Sequence, residues 1–171
     1  MVRATGTASP EHLTDSRASR TAAPVGSAAG RVTTATTDDV SEVPHASWLI
    51  DGNNVFGSRP DRWWNDPQAA KLRLAQRVAE WCRTHDDPVV LVFDAPVAPE
   101  TLALAGGNLA IEVATRRGRD AADDHIVERA RNVASPSIVT SDRGLQRRLV
   151  ELRGDDVRIV GVMRFREMIG Y

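Results

Sequence analysis

One cysteine and one lysine in 171 residues remove several chemistries at the outset. Cys82 alone cannot form an intramolecular disulfide or a cysteine zinc cluster. It falls on the apolar side of a predicted helix, where a buried thiol is expected. The chain has neither a G-x-x-x-x-G-K nor a G-x-G-x-x-G loop, which argues against the common nucleotide-binding folds. No segment approaches membrane-spanning length, and the opening MVRATGTASPEHLTDSRASR lacks the continuous apolar stretch of a secretory signal. Its Arg, Ser and Ala content suits an organelle transit peptide, but Glu11, Asp15, Asp38 and Asp39 do not. The expectation is a cytoplasmic protein with no membrane partner.

Aromatic residues are missing from positions 1–46, which are mostly Ala, Ser, Thr, Gly and Pro with no apolar periodicity. Such a stretch cannot bury enough surface to offset chain entropy, so 1–46 is expected to be a disordered low-complexity tail. All four Trp and all three Phe follow it, which places one folded domain at 47–171. Net charge is −1, so the chain is no polycation. Of its 22 basic residues only Lys71 is a lysine, and twelve of the arginines lie from Arg116 onward. If the nearby acids were neutralised by a cation, that surface would become distinctly basic.

What is present is a repeated punctuation. Three apolar runs, WLID at 48–51, VVLVFD at 89–94 and SIVTSD at 137–142, finish on or just before an aspartate. A first strand is predicted at 47–51, apolar throughout and therefore central in a sheet covered on both faces. DGNN reads as a tight turn after it. A helix is predicted over 67–84, with Pro67 in its first turn and Leu74, Val78, Trp81 and Cys82 as its apolar stripe. Strand two is PVVLVF, strand three NLAIEV at 108–113, and between them lies a loop or short helical piece. A helix is expected from Asp120 to Ala134, strand four at PSIVTS, a helix at RGLQRRLVELR, strand five at VRIVGV, and a last helical turn in RFREMIGY. Strands alternating with helices imply a mainly parallel sheet with helices on both faces.

Parallel strands place their carboxyl ends on one edge, where open α/β sheets bind ligands. Asp51, Asp94 and Asp142 therefore belong on that edge. Adjacent strands lie about 4.8 Å apart, so such carboxylates crowd one another. A shared divalent cation of the hard, oxygen-seeking kind, Mg2+ or Mn2+, relieves the crowding. The helix opening RDAADDHIVE adds Asp120, Asp123 and Asp124, two of which can share one helix face. Asn53 and Asn54 can hydrogen-bond phosphate or a ligand carboxylate, and Thr140 and Ser141 offer hydroxyls beside Asp142. Arg116, Arg117 and Arg119 before the acidic helix, and Arg143, Arg147 and Arg148 after Asp142, flank the same edge and could hold a phosphate backbone. Trp63 and Trp64 are expected mainly to cover a hydrophobic margin, with base stacking as a secondary use. His125 is expected to be a surface helix residue.

With LIDGNNV, VLVFDA, RGRDAADDHIVERA and IVTSDRGLQRRL in this order, the sequence resembles the NYN branch of the PIN-like nuclease superfamily, especially YacP-like ribonucleases, over nearly all of 48–162. The resemblance implies a three-layer Rossmann-like PIN fold and a Mg2+- or Mn2+-dependent endonuclease acting on RNA, and single-stranded RNA is the expected partner. By motif, Asp51, Asp94, Asp123 and Asp142 match the family's catalytic and metal-binding acids, and Asn54 the asparagine after the first. Relatives often carry glutamate where this chain has Asp120, which implies a supporting role for the shorter acid. The longer carboxyl-terminal tail of other YacP-like proteins has no counterpart in this sequence. A dehalogenase-like phosphatase would need a second aspartate where Asn53 stands, and a phosphoacceptor receiver a lysine that VRIVGV lacks. The remaining rival is a PIN-like RNA-binding module too weak to cleave.

Overall fold

The computed structural model describes residues 47–171 except Arg116, Arg117 and Arg119, so the expected tail at 1–46 and those three arginines lie outside the described residues. The expected central strand is β1, Trp48–Asp51, buried along its whole length. It is flanked by β2, Val89–Phe93, and β4, Ser137–Val139. Outside these lie β3, Leu109–Val113, and β5, Arg158–Val160, giving a five-stranded sheet in the order β3-β2-β1-β4-β5 with every pair parallel.

Helices cover both faces, as an all-parallel sheet requires. The period-2 alternation along the strands assigns the cores. On one face Trp48, Ile50, Leu91 and Phe93 pack with α1 (Gly52–Gly57), α2 (Pro67–Cys82) and α6 (Val162–Met168). On the other, Leu49, Val92 and Ile138 pack with α4 (Ala121–Arg131) and α5 (Arg143–Arg153). The short piece between β2 and β3 contains α3, Pro99–Leu102. The three-layer α/β fold with a parallel central sheet is therefore as expected. Cys82 is buried, and burial pushes its thiol up to about 11, which keeps it an inert core residue. No helix among the described residues is long and apolar enough to cross a membrane.

Three local expectations need correction. DGNN is not a turn: it opens α1, with the Asp51 carboxylate accepting a hydrogen bond from Asn54 N as the helix cap. The helix then buries Val55 and Phe56, a gain no open turn would provide. Strand five stops at Val160, because Val162, Phe165 and Ile169 recur at helical spacing and bury themselves in α6 and its end, Phe165 against Trp48 and Trp81. The acidic helix ends at Arg131, short of the expected Ala134, and Ser135 takes a left-handed backbone with φ 42°.

Candidate active site at the carboxyl edge of the sheet

After β1 the chain moves to one side of the sheet, toward β2, and after β4 to the other, toward β5. The carboxyl ends of β1 and β4 thus diverge at a topological switch point, the place where open α/β sheets form a crevice. Asp51 ends β1 at that switch point. It is 4% exposed, with Oδ1 accepting from Asn54 N at 3.0 Å and Oδ2 accepting from Thr140 Oγ1 at 3.2 Å. Burial, reinforced by the charges of Asp94 and Asp142, pushes its pKa up to about 6 despite these two hydrogen bonds.

Asp142 follows β4 and caps α5, its Oδ1 accepting from Gly144 N at 2.7 Å and Leu145 N at 2.9 Å. Its own N–H donates to Thr140 Oγ1 at 3.1 Å. Thr140, fully buried, therefore ties the two strand-end acids together: its hydroxyl donates to one carboxylate and accepts from the main chain of the other. Asp94 follows β2 and is held from two directions. Asn53 Nδ2 donates to its Oδ2, and Ala122 N, in the first turn of α4, donates to its Oδ1 at 3.1 Å. Asp123 stands on the same turn, half-buried. Burial first, then the charges of Asp51, Asp142 and Asp120 push it up to about 6, against the opposing charge of Arg148.

The expected strand-end acids and Asp123 are thus brought to one rim, with Asp120, exposed at the head of α4, close enough to act on Asp123. Asp124 is turned elsewhere. Arg148 Nη2 donates to its Oδ1 at 2.6 Å, and both line a neighbouring cavity of about 370 Å³ with His125, Glu128 and Arg131. His125 bonds Glu112 at 2.6 Å, and Arg129 holds the same carboxylate, so this group is an ion-pair network between β3 and α4.

Both asparagines of DGNN serve the site internally. Asn53 grips Asp94, and Asn54 Oδ1 accepts from Ser141 N at 2.9 Å, stitching α1 to the end of β4. Ser141 Oγ accepts from Val162 N at 3.2 Å. Arg143 and Arg147 are exposed on the first two turns of α5, beside Asp142. Trp63 donates to Gly57 O at 3.1 Å and packs edge-on against Phe56, a structural role, whereas Trp64 is 59% exposed.

Sequence reasoning missed Lys71. It sits in α2 at 5% exposure and donates from Nζ to the carbonyls of Asp94 (2.5 Å) and Pro96 (2.7 Å). Its signal was available: Lys71, Leu74, Ala75, Val78 and Cys82 share the spacing of the buried stripe, so the chain's single lysine stands where an apolar residue belongs.

A divalent cation suits the chemistry of this rim. The donors are hard carboxylate oxygens, and Asp51 and Asp123 are both raised toward neutrality, by burial first and by like charge second. Among the described residues no three acids converge on one point as a ready-made cage. Both oxygens of Asp51, both of Asp94 and Oδ1 of Asp142 accept hydrogen bonds from amides or a hydroxyl, so each carboxylate is held by its own partners. Mg2+ tolerates this, since it keeps several waters and needs only one or two carboxylates.

No protein-family model and no curated protein matches the chain. Two solved structures share its fold. One is Rae1 (YacP) from Bacillus subtilis, 21% identical, with a TM-score of 0.57 over 72% of this chain and 72% of that one. The other is a tryptophan-to-leucine mutant of the same protein, 20% identical, with a TM-score of 0.57 over 73% of this chain and 75% of that one. At these identities the likeness is one of fold, and it agrees with the YacP-like resemblance carried by the sequence motifs.

Proposed function

We propose that this chain is a metal-dependent endoribonuclease that hydrolyses phosphodiester bonds of single-stranded RNA in the cytoplasm. The single observation that carries the reading is the gathering of Asp51, Asp94, Asp123 and Asp142 at the switch point, where burial first and the neighbouring acids' charges second push Asp51 and Asp123 up to about 6. Strongly raised carboxyls with named charged neighbours, gathered in a crevice, mark a functional site rather than a structural one. The likeness in fold to Rae1 (YacP) supports the same reading.

Asp51, Asp94, Asp123 and Asp142 would hold Mg2+ or Mn2+, with Asp120 in support. Such an ion, when bound, supplies a more acidic water and neutralises charge developing on a scissile phosphate. The rest of the work belongs to the chain. Asn53 and the amide of Ala122 hold the Asp94 carboxylate in one orientation. Thr140 keeps Asp51 and Asp142 in register. Arg143 and Arg147, projecting from the start of α5, would receive the flanking phosphates, and exposed Trp64 offers a ring for an unpaired base.

Purified protein is expected to cleave single-stranded RNA internally with Mn2+ or Mg2+ and to stop in excess chelator. Asp51→Asn and Asp94→Asn should each abolish cleavage while leaving the far-ultraviolet circular dichroism spectrum intact. Full activity in both variants, or in chelator, sinks the assignment. RNA binding without cleavage under every metal condition would favour the RNA-binding module instead.

A further inference from the structure

The loop that carries Asp94 is gripped by the first turns of α2. Gln68 accepts from Ala98 N and donates to Pro96 O, both at 2.9 Å, while Lys71, one turn on, reaches deeper to the carbonyls of Asp94 and Pro96. Pro96 O therefore has two donors, whereas the Asp94 carbonyl is held by Lys71. The ammonium is nearly sealed from solvent, with Nζ 5.7 Å from the centre of the Phe93 ring. Burying an ammonium costs several kcal/mol unless its protons are met. The two carbonyls meet two of the three, and the remaining positive charge lies directly behind the acidic rim.

We propose that Lys71 is a positioning residue for Asp94: by fixing the Asp94 carbonyl from behind, it sets the direction in which the carboxylate on the same residue faces the rim. The consequence runs through two contacts already described, since a carboxylate released by rotation of its own main chain loses Asn53 Nδ2 and the Ala122 amide. Ala122 lies in the first turn of α4, where amides have no intrahelical partner. Its N–H thus reports directly on where the Asp94 carboxylate stands.

The inference deepens the nuclease reading and rests on it for its catalytic meaning, while its geometric content stands apart. In Lys71→Met, hydrogen exchange at the Ala122 amide is expected to rise at least about tenfold while amides of β1 and β4 keep their protection. In parallel, Mn2+ affinity should fall about tenfold, the scale seen when a group supporting a metal ligand is removed. The kcat for RNA should fall while KM stays unchanged. A purely structural lysine would lower the melting temperature and leave the kcat and the Mn2+ affinity untouched. Should Lys71→Met fail to fold, Lys71→Leu, which likewise removes the donor, is read in the same way. Wild-type exchange at Ala122 in a folded variant overturns the proposal. If the wild-type protein shows no metal-dependent cleavage, it is the nuclease reading that falls, and exchange at Ala122 still decides the role of Lys71.

Discussion

Asp51 combines two demands on one carboxyl group. As the cap of α1 it accepts a main-chain N–H, which an asparagine would do equally well. As a nearly buried acid facing Asp94 and Asp142, it is held at about 6, well above its ordinary 3.8. The sign of the linkage follows. The unfolded carboxyl loses its proton near pH 4, while the folded one keeps it to about 6, so the folded state binds more protons in between. Stability associated with Asp51 is complete below that window and is lost as pH rises through it. Asp123, raised to a similar value, behaves in the same sense. In metal-free buffer Asp51→Asn should therefore match the wild type in urea denaturation near pH 3.5 and exceed it by roughly 1–3 kcal/mol at pH 7.5. Equal stability at both pH values would mean that the carboxyl is not strained. Cation affinity should move oppositely, increasing through pH 6, because a bound ion displaces the proton.

At the scale of elements, the site depends on two junctions between a strand and the helix that follows it. At the first, Gly52 lies so close to β2 that a Cβ would stand 2.4 Å from Phe93 Cε1 and 2.8 Å from the Val92 carbonyl. The ring could move, but the main chain of a central strand could not. Gly52→Ala should destabilise the fold by about 1–3 kcal/mol, as overpacking does, and should weaken cleavage by displacing Asn53 from Asp94. Denaturation and activity measured on one preparation check both. At the second junction, Asp142 is both the cap of α5 and a member of the rim. Asp142→Asn keeps an acceptor for Gly144 and Leu145 and should retain stability while losing cleavage. Asp142→Ala should lose cleavage and a further ~1 kcal/mol of stability. If the two variants are equally stable, the cap contributes nothing.

For the molecule as a whole, the near-balance of charge hides an uneven arrangement. Acids gather at the switch point, and Arg143 and Arg147 stand exposed beside them on α5. Each arginine that neutralises a phosphate of single-stranded RNA contributes about 0.7 to the slope of log affinity against log salt. With catalysis blocked by Asp94→Asn, Arg143→Ala and Arg147→Ala should each weaken RNA binding and flatten that slope by roughly this amount. A slope unchanged in both variants would move the RNA track away from α5.

Much of this protein was legible before any fold was known. Apolar runs that end in aspartate fixed the central strand and the shared edge, since parallel strands have no other way to present their carboxyl ends. The buried stripe of α2 followed from helical spacing, and the opening of α4 from its cluster of acids. Tertiary structure alone decided which acids of that cluster join the rim. Asp123 and Asp124 are neighbours in sequence, yet about 100° of helical turn between successive residues sends one toward Asp51 and the other to Arg148. It also decided that DGNN begins a helix, because the gain came from burying Val55 and Phe56 against distant residues. Lys71 reaching the carbonyl of Asp94, 23 positions away, was settled in the same manner. Periodicity and local preference are written along the chain; hydrogen bonds between remote segments exist only once those segments have been packed together.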